Sequence, residues 1–142
     1  SKFDGFSKRE ILENYKKSYP ENISIFESLP HNDLFLLIKN SKIVVMPTYI
    51  DTVPSMSLEA LDHNATILCS SNSSIDEYIT NNKNGFIFEN GNANDLFKKI
   101  IHISNLNGDK ISEIKNKGRD TLKEYFSEEN TLRKLEEIIN EI

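Results

Sequence analysis

Asp51 and Glu59 are the two residues whose type and setting could do chemistry together. They lie in residues 45–61, where an apolar run ends at Pro47, a polar loop follows and a helix opens near Ser55, which can serve as its N-cap. Backbone N–H groups at such a helix start, aligned with the helix dipole, make a site for an anion such as a diphosphate. Glu59 falls about one turn into a helix whose other members include Met56, Leu58, Ala60 and Leu61. A carboxylate on so apolar a helix is either on its solvent stripe or held for a purpose. Asp51 taken alone reads as a common turn residue.

The elements that must position this loop are short. Four β-like runs punctuate the chain, at 23–26, 43–46, 65–69 and 85–88, and helix-compatible spacing of apolar residues covers 7–17, 33–39, 55–63 and 75–80. Strands alternating with helices imply parallel pairing through right-handed crossovers. The runs at 43–46 and 65–69 are almost uninterrupted in apolar character, so both are expected in mid-sheet, covered on two faces. Ligands in open sheets of this kind sit beyond the carboxyl ends of the strands, which is where the loop after Pro47 must lie. Beyond Phe88 the pattern becomes helical, over 93–104, 110–125 and 127–140, with breaks at Asn107-Gly108 and Phe126-Ser127. The expected fold is an α/β domain: a Rossmann-like parallel sheet with flanking helices and a helical C-terminal third.

Composition excludes several classes. A chain of 142 residues has the length of one domain and can bury about 68–70% of its unfolded surface. Eight Phe and five Tyr argue against disorder. A formal net charge of −5 disfavours a nucleic-acid surface, which needs clustered Lys and Arg. No apolar stretch is long enough to cross a membrane and no secretory signal opens the chain, so a cytoplasmic protein is expected. The single cysteine, Cys69, lies in an apolar run and reads as a buried core residue. His31, His63 and His102 have no metal-ligand spacing and read as structural. The opening Ser1-Lys2-Phe3-Asp4-Gly5 is abrupt for a natural domain, and suggests truncation.

At Asp51-x7-Glu59-Ala60 the residues resemble a known pattern, the E-x7-E-A motif of family 4 (group 1) glycosyltransferases, with Pro54 matching its proline. The likeness continues in order along the chain. Residues 42–48 resemble the strand that ends in Pro-Ser, and 61–70 resemble the segment that runs from the helix into the next strand. Ser74 to Ile79 resembles a g-x-x-E-x-I segment, and 82–88 resembles one containing Asn-Gly. The resemblance covers residues 23–104 and implies the donor-binding, C-terminal half of a GT-B fold, with 1–142 as a single domain and the acceptor domain absent. It implies that Asp51 approaches the transferred sugar as the catalytic acidic residue. Thr48 and the stretch Val53, Pro54, Ser55 and Met56 would line the diphosphate, and Glu59 would bind the ribose hydroxyls. A carboxylate accepting two hydroxyl donors suits a ribose, since charge-assisted hydrogen bonds are short and strong. Glu77 would face the donor, although Ser74-Ile75-Asp76-Glu77 is also a capping box in which Glu77 serves only its own helix.

Departures from the family pattern bear on catalysis. Asp51 replaces the usual Glu and reaches roughly 1.5 Å less far. Asn64 replaces a Gly after the helix, and Asn is the next best residue for a left-handed position there. Thr66 stands where Pro is common, and Ser73 and Ser74 where glycines often stand. The family's opening strand that ends in G-R and is followed by K-G, whose Arg and Lys neutralise the diphosphate, does not occur in these residues. By the family's strand order the four β-like runs would be strands three to six, leaving an incomplete sheet. The resemblance implies a retaining glycosyltransferase that moves a sugar from a nucleotide-sugar to a glycan or lipid acceptor. No metal and no cofactor beyond the donor is expected. Contact with the inner face of the membrane would run through a further domain. The competing reading is a non-catalytic binding or partner module built from a degenerate copy of this domain.

Overall fold

A computed structural model of the chain describes residues 2–3, 6–19, 21–26, 28–49, 53 and 55–140, with side chains from residue 9 onward. It divides into two compact units, residues 1–33 and 34–142. In the first, strands β1 (Lys2–Phe3) and β2 (Phe6–Ser7) pair antiparallel, and helix α1 (Lys8–Ser18) follows. Residues 23–26, expected as a strand, are irregular, and Phe26 is exposed. A four-residue apolar run becomes a strand only when a neighbour supplies its ladder, and none pairs with it here among the described residues.

The second unit holds a three-stranded parallel sheet of order β3-β4-β5, built from Val44–Met46, Ile67–Ser70 and Phe86–Phe88. The register pairs Val45 with Leu68 and Cys69 with Ile87. Strand β4 is buried along its whole length, as its unbroken apolar run predicts. β3 lies at the edge of this sheet instead of in its middle, and its Val44 and Val45 are half-buried. An apolar run reports cover on both faces but says nothing of whether both edges are paired.

Helices cover the two faces. Alternate residues of β4 point to opposite sides: Ile67 and Cys69 join Met46, Ala60, Leu61 and Ile75 in one cluster, while Leu68 joins Phe86, Phe88, Ile103 and Ile114 in the other. The first cluster is closed by helices α2 (His31–Asn40) and α3 (Ser55–Asp62). The second is closed by α4 (Ala93–Ser104) and the front of α5 (Gly108–Phe126), whose Leu122 also reaches the first cluster. Helix α6 (Glu128–Asn140) completes the helical C-terminal third. Side-chain caps mark the starts of α4 and α5, where Asn92 accepts from the Asp95 amide and Asn107 from that of Lys110. At the end of α3, Asn64 takes a left-handed φ of 57°. The Ala65 amide then donates to the Ala60 carbonyl and the Asn64 amide to that of Leu61, a complete Schellman closure.

Candidate functional site

The site is read from the loop that leaves β3 for α3. Asp51 and Pro54 lie outside the described residues, so the geometry is carried by their neighbours. Thr48 is half-buried, and its hydroxyl oxygen is fully buried with no hydrogen-bond partner. An orphaned hydroxyl at the end of a strand is costly to leave unmatched. Val53 packs against the first core cluster. Ser55, expected as the N-cap, is already the first helical residue of α3, and both it and Met56 are exposed. The first turn of α3 carries no acidic side chain, so the positive end of its dipole is not offset there.

Glu59 is neither exposed nor paired. Its side chain is half-buried, and its carboxylate makes no hydrogen bond or ion pair among the described residues. The next residue, Ala60, is fully buried in the first core cluster. His63 donates through Nδ1 to the Glu59 carbonyl, 2.9 Å away, and its ring stacks on Phe35 with centroids 4.3 Å apart. His102 sits 3.1 Å from the Asn82 amide oxygen.

The capping box at 74–77 does not form. Ser74 has φ 57° and ψ −43°, outside the extended geometry an N-cap needs, and makes no side-chain cap. Only a short 3₁₀ turn, Ile75–Glu77, follows in place of the helix expected to Thr80. Asp76 takes over instead: its carboxylate accepts from the amides of Asn72, at 2.7 Å, and Ser73, at 3.2 Å. A positive φ at Ser74 also accounts for the glycine the family often has there. Glu77 is exposed and lines a cavity of about 280 Å³ with Tyr78, Lys117, Asp120 and Tyr125 along α5.

Sequence reasoning passed over the groups that join the strand ends. Ser70, the last residue of β4 and fully buried, donates its hydroxyl to the Thr48 carbonyl at 2.5 Å. Asn90, just past β5, donates its side-chain amide to the Tyr49 carbonyl at 3.1 Å. The Asn90-Gly91 pair was the available signal, since it marks a tight turn. Gly91 has φ 75°, and a Cβ there would stand 3.1 Å from the Tyr49 hydroxyl. Beside them, Pro47, Tyr49, Phe88 and Leu96 line an apolar cavity of about 180 Å³ at the carboxyl ends of the strands. A larger cavity, about 390 Å³, is lined by Lys42, Ile43, Leu106 and Lys115 at the opposite end of β3, away from this chemistry.

A family model described as "Glycosyl transferases group 1" matches residues 5–121. Among solved structures, a glycosyltransferase from Rickettsia africae ESF-5 is 25% identical with a TM-score of 0.73, over 94% of this chain and 37% of that one. TarM is 23% identical with a TM-score of 0.79, over 96% of this chain and 27% of that one. Anabaena HepE, solved in complex with UDP and glucose, is 16% identical with a TM-score of 0.77, over 94% of this chain and 36% of that one. This chain thus spans little more than a third of the first of these and less of the others. No curated protein matched it in a sequence search. The parallel sheet with helices on both faces is the architecture of the C-terminal domain of GT-B glycosyltransferases, and the chain belongs to the group 1 glycosyl transferase family.

Proposed function

We propose that this chain is the nucleotide-sugar-binding part of a retaining glycosyltransferase that passes a hexose to a glycan or lipid acceptor. The observation that carries the reading is Glu59: a half-buried carboxylate with no partner among the described residues, on the helix that follows the motif loop. In this reading Glu59 accepts both ribose hydroxyls. The start of α3 around Val53, Pro54, Ser55 and Met56 faces the diphosphate, and Asp51 approaches the sugar. Thr48 and Glu77 border the donor site. The UDP and UDP-glucose held by Anabaena HepE make a uridine nucleotide-sugar the first donor to try.

In this reading the protein is cytoplasmic and serves glycan biosynthesis, and any contact with the inner face of the membrane is made through other parts of the protein. No helix among the described residues is long and apolar enough to cross a membrane. Donor binding uses helix-start amides and needs no metal, because the sequence has no D-x-D pair. Titration of the full-length protein with UDP-, GDP- and ADP-sugars tests both points. Binding of one donor class that persists in EDTA is expected, whereas a strict Mg²⁺ or Mn²⁺ requirement, or no binding at all, would overturn the proposal.

A further inference from the structure

Three parallel strands end side by side at this site, and beyond the last ladder bond nothing in a parallel sheet holds their loops together. Here side chains do so. Ser70 extends β4 by gripping the Thr48 carbonyl, and Asn90 reaches from the end of β5 past β4 to grip the Tyr49 carbonyl. The Asn90 backbone N–H donates to the Ser71 hydroxyl at 3.1 Å, and the Ser71 backbone N–H to the Phe88 carbonyl at 2.8 Å. Two consecutive carbonyls of the first loop are thus captured by donors from two different strand ends. Gly91 adds a constraint of space, since any side chain there would meet the Tyr49 ring.

We infer that Ser70 and Asn90 are positioning residues of the donor site, a two-point clamp that fixes where the chain enters the acidic motif. The inference rests on the donor-site reading above. Neither residue touches the donor. They set the backbone of Thr48 and Tyr49, the last described residues before the acidic motif begins. The Thr48 hydroxyl, buried and unmatched, is held in one place by the same grip. Small displacements at this point matter because transfer depends on the alignment of the reacting groups.

The test uses the full-length protein with Asn90→Asp, which keeps size but removes the amide donor on a half-buried loop, and with Ser70→Ala. Expected is a kcat lower by roughly tenfold in each, with donor affinity changed by less than about threefold, since the ribose and diphosphate contacts remain. Hydrogen exchange of the segment between β3 and α3 should quicken in both variants, while that of β4 stays as in the wild type. Unchanged kcat with only a lower melting temperature would overturn the inference, as would unchanged exchange in that segment. A wild type that binds no nucleotide-sugar would overturn the donor-site reading and this inference with it, and the wild-type titration separates that case from failure of the clamp alone.

Discussion

Glu59 and Asp51 belong to one motif and hold different assignments, which makes them separable by measurement. A carboxylate that accepts two ribose hydroxyls contributes roughly 1.5–3 kcal/mol through charge-assisted bonds. Glu59→Ala should therefore weaken affinity for free UDP or GDP by about ten- to a hundredfold, and calorimetric titration of the full-length protein would register it. Asp51, nearer the sugar, should matter little for the free nucleotide. Its alanine variant should lower turnover instead, and Asp51→Glu, the family residue, should preserve or raise it. Equal and negligible losses of nucleotide affinity in both alanine variants would leave Glu59 as a helix-surface carboxylate. Glu59 is half-buried on α3. That burial could not be read from the sequence, where only the apolar company of Met56, Ala60 and Leu61 hinted at it.

At the scale of elements, what was legible followed from local rules, and what was not depended on distant partners. Asn64 could be placed in a left-handed closure because Gly and Asn share that preference, and the Schellman bonds are there. Residues 23–26 carry the same apolar signal as β4, but whether a run pairs is decided by chain far away. The S-x-x-E pattern at 74–77 misled because Asp76 competed for the same turn with a shorter reach to the Asn72 and Ser73 amides. Residues of a kind that no pattern announces also pin α5. Asn84 donates to the Tyr78 carbonyl and to the Thr121 hydroxyl, and accepts from the Thr80 amide. Gly118 faces this knot: a Cβ would stand 2.9 Å from the Asn84 carbonyl oxygen and 2.9 Å from a Leu61 methyl. Removing a mid-helix glycine is worth up to about 1 kcal/mol in propensity, but overpacking against a backbone oxygen costs about 1–3 kcal/mol. The second effect should win, so Gly118→Ala should lower stability in urea denaturation. Gly108→Ala, with nothing within 4 Å, should be neutral or stabilising. A stabilised Gly118→Ala would mean that α5 is free to move away from α3.

For the larger unit as a whole, the two core clusters meet across β4, and Cys69 of that strand sits in the first of them with no exposed surface. Its thiol lies 3.5 Å from the Phe86 carbonyl. Burial, and to a smaller degree the negative charge of Asp76, pushes its pKa from 9.0 up to about 12. A pKa raised by folding means that the native state disfavours the thiolate while the unfolded chain accepts it. The stabilising contribution is therefore complete below pH 9 and is lost as pH rises towards 12. At pH 11 the loss should approach roughly 2–3 kcal/mol, since each pH unit in that window is worth about 1.4 kcal/mol. Lysines and tyrosines titrate over the same range, so the informative quantity is the difference between wild type and Cys69→Ala in urea denaturation at pH 8, 9.5 and 11. At pH 8 the wild type should be the more stable, because the alanine leaves a small cavity in a closely packed layer. Towards pH 11 that advantage should shrink or reverse, because only the wild type gains from ionising on unfolding. Alkylation of the thiol should follow the same logic, remaining slow until the clusters part. A stability difference that stays flat across the three pH values would show that the first cluster admits water around Cys69, and that the closely packed core on that face of β4 does not hold in solution.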